Sequence, residues 1–373
     1  MVHITPMIIG IPKECKNNEF RVGLMPQHVN ELSLIHKVIV QRDAGLGAGL
    51  TNEDYINSGA TIVPNMEDIY AQAELIVKVK EPLPQEYLLI KPHHTLFTFF
   101  HFAASLSLTK AMLKSQATCI AYETIEDKSG ALPLLAPMSE VAGRLAGQQA
   151  AKYLEKPQGG SGILVGGVSG VAPAKVLVLG GGVVGTNAAD VLVGMGADVT
   201  ICDVNESRLK TLEEIFDGKV ETILASKESI AAKLHIIDAV IGAVLVKGAK
   251  APKLITRKML SLLKPHSVLV DVAVDQGGCF ETTKPTTHEN PAYYVDDILH
   301  YAVANMPGAV PQTSTQALSN RTFPYVMKLI NKSIKELPME IRKGVNMYQG
   351  KLTNREVADA FKLPYSNLST ILL

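Results

Sequence analysis

This 373-residue sequence is short of the features that mark several protein classes, and each shortage excludes something. Its four cysteines, Cys15, Cys119, Cys202 and Cys279, are scattered, with no C-x-x-C pair and no cluster with histidine. That dispersal argues against both a zinc site and a disulfide framework, and points to reduced thiols in a cytoplasmic setting. Neither sign of charge is in excess, because 36 Lys and Arg balance 36 Asp and Glu. Nucleic acid and an anionic membrane surface are therefore not expected as partners. The most apolar long stretch, 163–201, contains Pro173, Lys175, Asn187, Asp190 and Asp198, which speaks against a membrane-spanning helix. The first ten residues lack a basic region and are interrupted at Pro6, so they read as a leading strand rather than a signal peptide. No internal repeat or low-complexity segment is visible.

With 47% hydrophobic and 19% charged residues the chain suits a soluble globular protein with a large core. Its length predicts roughly two domains of ~150–200 residues. The most informative stretch is VLVLGGGVVG at 176–185, an apolar strand that turns into a glycine loop and a helix start. Gly180 permits a tight turn off the strand, Gly182 removes a side chain where backbone must approach a pyrophosphate, and Gly185 lets the helix pack on the sheet. The unpaired N–H groups at the start of that helix face the phosphates, and Val183 in the loop is expected among the cofactor contacts. A second strand ends in Asp203, 203 − 180 = 23 positions past the first glycine. A carboxylate there accepts the ribose hydroxyls of NAD and repels the 2′-phosphate of NADP. The strand, loop, helix and acid together are specific for a dinucleotide fold, which names a cofactor and not a reaction.

On either side of this fingerprint, strands and helices alternate. Strands are expected at 7–11, 38–41, 61–63, 75–80, 95–99 and 118–121, and past Asp203 at 238–243, 267–272 and 293–295. Helices are expected at 25–35, 104–115 and 186–194, with two more at 139–155, capped by Ser139, and 313–330. This alternation predicts an α/β protein of two doubly wound domains, a Rossmann NAD-binding domain inserted in a flavodoxin- or Rossmann-like substrate domain. The expected limits are 139–307 for the nucleotide domain, and 1–138 with 308–373 for the substrate domain. Cofactor and substrate are expected in a crevice between them.

Several strand ends carry chemical groups. NNEFRV at 17–22 puts Arg21 on a polar loop, where it holds a substrate carboxylate or is simply a solvated surface charge. VKVKEP at 77–82 ends a strand with two lysines on alternate sides, of which Lys80 is the better candidate for a substrate carbonyl or carboxylate. FTFFHF at 97–102 sets His101 among aromatics, as either a core residue or a group exchanging protons near neutrality. DVAVDQGG at 271–278 holds two acids, with Asp275 beside a Gly-Gly turn and expected to be more exposed than Asp271; a turn-capping role is the alternative.

These segments, with LLAPMSEVAG at 134–143 and VANMP at 303–307, resemble the signature stretches of the NAD-dependent L-alanine dehydrogenase family, in order along most of the chain. The resemblance implies reversible oxidative deamination of L-alanine to pyruvate and ammonium, with NAD as hydride acceptor and no metal. It implies that Arg21 and Lys80 bind substrate and that His101 and Asp275 are the catalytic pair. It adds Ser139, Val244, Leu245, Val303, Asn305 and Met306 to the cofactor contacts, with Arg208 toward the adenine, and implies a homohexamer. Lys284 departs from the arginine of some relatives, which touches one cofactor contact and leaves the reaction unaffected. Two other readings share parts of the pattern: the nucleotide-binding component of a proton-translocating transhydrogenase, and a nucleotide sensor without catalysis.

Overall fold

The computed structural model of this protein describes residues 6–244 and 250–373. It contains two compact units, Met1–Met138 with Val310–Leu373, and Ser139–Ala309.

In the first unit, short apolar runs form β1 (Ile8–Ile11), β2 (Lys37–Gln41), β3 (Thr61–Val63), β4 (Leu75–Val77), β5 (Thr95–Thr98) and β6 (Thr118–Ala121). All six are parallel, in the order 3-2-1-4-5-6. This is the Rossmann order and not the flavodoxin one, which decides between the two arrangements the sequence left open.

The second unit repeats that order with β7 (Lys175–Leu179), β8 (Asp198–Asp203), β9 (Val220–Leu224), β10 (Ala239–Gly242), β11 (Val268–Asp271), β12 (Ala292–Val295) and β13 (Ile298–Tyr301). The strand expected at 293–295 is the outer β12, antiparallel to β13, and it is β13 that pairs in parallel with β11. Val176, Leu177, Val178 and Leu179 are all fully buried, as a parallel strand covered on both faces requires. Each contributes about 1.5–3 kcal/mol of burial. Beneath one face lie Leu177, Leu179, Val240, Leu269, Cys279 and Phe280 in one core.

The chain then returns to the first unit as β14 (Val345–Tyr348), antiparallel to β6, and β15 (Lys351–Leu352), antiparallel to β14. Met347, Leu352, Val357 and Ala358 complete a core with Leu96, Phe100, Phe102 and Cys119. Several helix limits differ from expectation, and the helix expected at 186–194 starts at Val183. The helix Ala136–Tyr153 starts ahead of Ser139, with Pro137 in its first turn, so Ser139 lies inside the helix and does not cap it. The helix Pro311–Leu329 likewise begins at a proline, before the threonines and serines that suggested its start. Among the described residues no helix is long and apolar enough to cross a membrane.

Candidate active site

In each sheet the strand order reverses between two central strands, and ligands of open α/β sheets bind beyond the carboxyl ends of such strands. In the first unit these are β1 and β4. After β1 the chain passes Glu14, Glu19 and Arg21 before the helix Pro26–Ser33; after β4 come Lys78 and Lys80.

Arg21 is buried, and its guanidinium is aligned by Glu19, with Nε donating to Oε1 at 2.7 Å and Nη2 to Oε2 at 2.5 Å. Glu19 also accepts the Arg21 backbone N–H at 3.1 Å. The opposite nitrogen, Nη1, lies 3.1 Å from Met138 Sδ. A fork held this way is oriented before any ligand arrives, which spares its ordering cost.

The two lysines after β4 separate cleanly. Lys78 turns into the interior, 2.8 Å from Glu86 and 3.4 Å from Glu14, and Tyr70 donates its hydroxyl to Glu86 at 2.8 Å. Burial works against its charge, but Glu14 and Glu86 outweigh it and hold the ammonium well above its ordinary value. Lys78 is thus a buried structural cation. Lys80, also largely buried, has its ammonium pulled below the usual lysine range by burial first and by the positive charge of Arg21 second. Two neighbouring buried cations favour an anion between or beside them.

The backbone carrying Lys80 is held on both edges. Glu14 Oε1 accepts the N–H groups of Val79 at 2.6 Å and Lys80 at 3.3 Å. Tyr122 and Thr98 donate hydroxyls to the carbonyls of Lys78 at 3.0 Å and Lys80 at 2.9 Å. Glu14, Glu19 and Glu123 were not foreseen from the sequence. Glu123 accepts the backbone N–H of His101 at 2.6 Å and that of Phe100 at 3.2 Å. His101 sits at φ 48°, ψ 43°, a left-handed conformation costing on the order of 1 kcal/mol for a residue with a Cβ. Its ring is exposed and stacks parallel on Phe99 with centroids 5.7 Å apart. The neighbouring Phe100 and Phe102 are the core residues, so the histidine is the member of this aromatic run that leaves the interior.

In the second unit the central strands are β7 and β10. Gly180 follows β7 at φ +101°, and a Cβ there would lie 2.9 Å from the carbonyl oxygen of Ala243 and 3.0 Å from Val244 Cγ2. A Cβ on Gly185 would lie 1.8 Å from the Gly180 carbonyl oxygen, so helix and loop touch through bare backbone. A Cβ on Gly182 would meet nothing within 4 Å. Gly182 is the N-cap of the helix Val183–Gly194 and has no side chain to cap it, so the first-turn N–H groups face open space. That is a cradle of the kind a pyrophosphate fills.

Asp203 ends β8 and accepts the Gly181 N–H at 2.7 Å through Oδ2 and the Asn205 N–H at 2.9 Å through Oδ1. Each oxygen retains a lone pair for a ribose hydroxyl. Arg208 donates to the Gly181 carbonyl at 2.7 Å and the Thr186 hydroxyl at 2.8 Å, which places its guanidinium on the glycine loop. Ser139 is half-buried, Val183 is exposed at the helix start, and Val244 follows β10. Leu245 lies outside the described residues. Beyond β13, Val303 and Met306 are buried, and Asn305 takes a left-handed turn at φ 60°.

Of the two acids at the end of β11 and just beyond it, Asp271 is buried and Asp275 exposed. Asp271 accepts backbone N–H groups from Ala273 at 3.1 Å and Cys279 at 2.8 Å, and the Thr283 hydroxyl. Burial raises its carboxyl above the usual value despite these bonds. It is the turn-holding acid, and Asp275 stands on the short turn Val274–Gln276 that it holds. Cys279 beneath is no nucleophile: burial, then the charge of Asp271, push its thiol up to about 12.

Two family models match this chain. Residues 10–142 match the family described as alanine dehydrogenase/PNT, N-terminal domain, and 146–355 match alanine dehydrogenase/PNT, C-terminal domain. An alanine dehydrogenase of Halomonas elongata is 52% identical over 370 residues, spanning 98% of this chain and 100% of that one. One of Methanococcus maripaludis is 50% identical over 365 residues, spanning 96% and 98%. A solved L-alanine dehydrogenase superposes with a TM-score of 0.92 at 48% identity, over 95% of this chain and 99% of that one. A transhydrogenase from Sinorhizobium meliloti, 24% identical with a TM-score of 0.80 over 93% of this chain and 99% of that one, shares the fold. The chain belongs to the alanine dehydrogenase/PNT family.

Proposed function

We propose that the protein catalyses the reversible oxidative deamination of L-alanine to pyruvate and ammonium, with NAD as the cofactor. The relatives named alanine dehydrogenase, matched along nearly their whole length, support the reaction. The observation on this molecule that carries the reading is the buried Arg21 beside Lys80 at the carboxyl ends of β1 and β4, a site suited to a small carboxylate.

In this reading Arg21 pairs with the substrate carboxylate, and Lys80 hydrogen-bonds the carbonyl of pyruvate. Together they fix the orientation of the Cα hydrogen. The residues of the second unit fit a dinucleotide: the cradle at Gly182 takes the pyrophosphate, Asp203 the ribose hydroxyls, and the negative charge of that carboxylate, which repels a 2′-phosphate, favours NAD. When bound, the cofactor supplies the hydride acceptor. Asp275 stabilises the positive charge that develops on the substrate nitrogen as hydride leaves. His101 takes the proton of the attacking water and returns one to the departing ammonia, so that pyruvate and ammonium result. The cofactor contacts of Ser139, Val183, Arg208, Val244, Leu245, Val303, Asn305 and Met306 belong to the same reading, as do the substrate and nucleotide roles of the two units. So do a hexameric assembly, which gel filtration tests, and a cytoplasmic location.

The test is a nicotinamide-absorbance assay with NAD and L-alanine, then with NADH, pyruvate and ammonium. Turnover in both directions is expected. No turnover in either overturns the reading, and hydride exchange between two nucleotides alone would place the chain with the transhydrogenases.

A further inference from the structure

We propose that Lys253 is a positioning residue that sets the turn carrying Asp275. The inference rests on the reading of Asp275 as a catalytic group.

The turn is gripped from two sides. On its N–H side is the buried Asp271 carboxylate, which receives the backbone of Ala273, Cys279 and Phe280, the last at 3.4 Å. On its carbonyl side is the segment that runs through Ala251, Lys253 and Leu254. There the Ala251 N–H donates to the Gln276 carbonyl at 3.0 Å, and the Leu254 N–H to the Cys279 carbonyl at 2.8 Å. Three other carbonyls in the same stretch, those of Gly277, Gly278 and Phe280, converge on one atom, Lys253 Nζ. The last two distances are 2.9 Å and 3.0 Å.

A lysine ammonium has three N–H donors, and here each has its own carbonyl. Lys253 is an exposed residue, so neither core packing nor burial accounts for this convergence. What the lysine holds is the carbonyl side of the glycine pair, the part of the turn with the widest intrinsic backbone freedom. Gly277 and Gly278 sit at φ +92° and +80°, where glycine moves among many conformations at little cost. Ala251 and Leu254 secure the peptides on either side of that glycine pair. Within the pair, the N–H groups of Gly277 and Gly278 donate to the Val274 and Ala273 carbonyls at 3.0 Å each, whereas the two carbonyls are held by the Lys253 side chain. Asp275 is two residues upstream of Gly277, so a rotated Gly-Gly peptide displaces its carboxylate, and small displacements of a reacting group have large effects on rate.

Lys253→Met keeps the aliphatic stem and removes the charge and all three donors. The expected result is a fall in kcat for alanine oxidation of about ten- to hundredfold, with NADH affinity by fluorescence and thermal midpoint close to those of the parent. Ethylammonium added to Lys253→Ala should restore part of the loss in the alanine-to-pyruvate direction, where no amine is a co-substrate. Loss of a purely structural lysine would instead lower the thermal midpoint and NADH affinity together with the rate. A parent-like kcat in Lys253→Met overturns the proposal, as does a loss of rate matched by loss of NADH binding and of the thermal midpoint, or a Lys253→Ala enzyme indifferent to ethylammonium. Asp275→Asn measured in parallel separates the two claims. If it is inactive while Lys253→Met is parent-like, only the positioning role falls; if Asp275→Asn is parent-like, the reading of Asp275 falls and the proposal with it.

Discussion

The first strands of the two sheets lead to opposite kinds of loop, although both sheets have the same strand order. After β7 the chain reaches a helix within a few residues, through glycines whose missing side chains are the functional feature. After β1 it wanders from Pro12 to Met25 before a helix forms, and that longer path carries Glu14, Glu19 and Arg21. One sheet presents bare backbone dipoles at its switch point; the other presents charged side chains braced by buried carboxylates. The difference teaches that one topology offers a fixed location, and that loop length decides whether backbone or side chains meet the ligand.

That contrast can be broken most severely at His101, the proton-transfer group of the proposed mechanism on the side-chain side. His101→Ala should lower turnover by about 10²–10⁴-fold while NADH still binds, as fluorescence titration would show. A near-normal rate would remove the histidine from its role. The backbone side is sharpened by two glycine variants. Gly185→Ala forces a Cβ against the Gly180 carbonyl and should cost on the order of 3 kcal/mol in denaturant unfolding. Gly182→Ala meets no protein atom, so its stability should stay within about 1 kcal/mol while NADH affinity drops. Equal stability losses in the two would mean that the cradle is not the open space described.

The smallest effect is in pH dependence. Lys80 has a lowered pKa, so its ammonium is lost as pH rises through a range below the ordinary 10.5, and the proposed carboxylate site should weaken there. The KM for pyruvate should climb toward alkaline pH with a slope of at most about tenfold per pH unit. Lys80→Arg, which stays charged, should flatten that climb. A parallel climb in both enzymes would assign the titration elsewhere.

The glycine loop was legible in the sequence because each of its positions answers a backbone constraint that neighbours in the chain can express. Lys80 was preferred over Lys78 for its place nearer the end of a strand expected at 75–80, but that strand stops at Val77, and the buried partners of Lys78 were not legible. Glu14 binds Val79, 65 positions away, and Glu123 binds His101, 22 away; no local pattern announces such pairs. Arg208 was expected toward the adenine, yet its guanidinium reaches back to Gly181 and Thr186, a path that helix geometry sets and spacing does not reveal. The start of the helix Ala136–Tyr153 was misplaced because Ser139 is a good cap by composition, whereas Pro137 in the first turn was the better signal. β9 was missed because VETIL is an edge strand with polar positions, and β14 because the strand it extends, β6, lies more than 200 residues earlier.

The return of β14 to the edge of β6 has a consequence for biosynthesis. As the chain emerges from the ribosome, Ser139–Ala309 is complete while the first unit still lacks the residues that cover β6. Until Val345–Tyr348 arrives, β6 is an open edge, and the core around Leu96 and Cys119 is missing Met347, Leu352, Val357 and Ala358. The nascent chain therefore carries a finished unit together with an exposed, adhesive strand, and the first domain begun is the last to close.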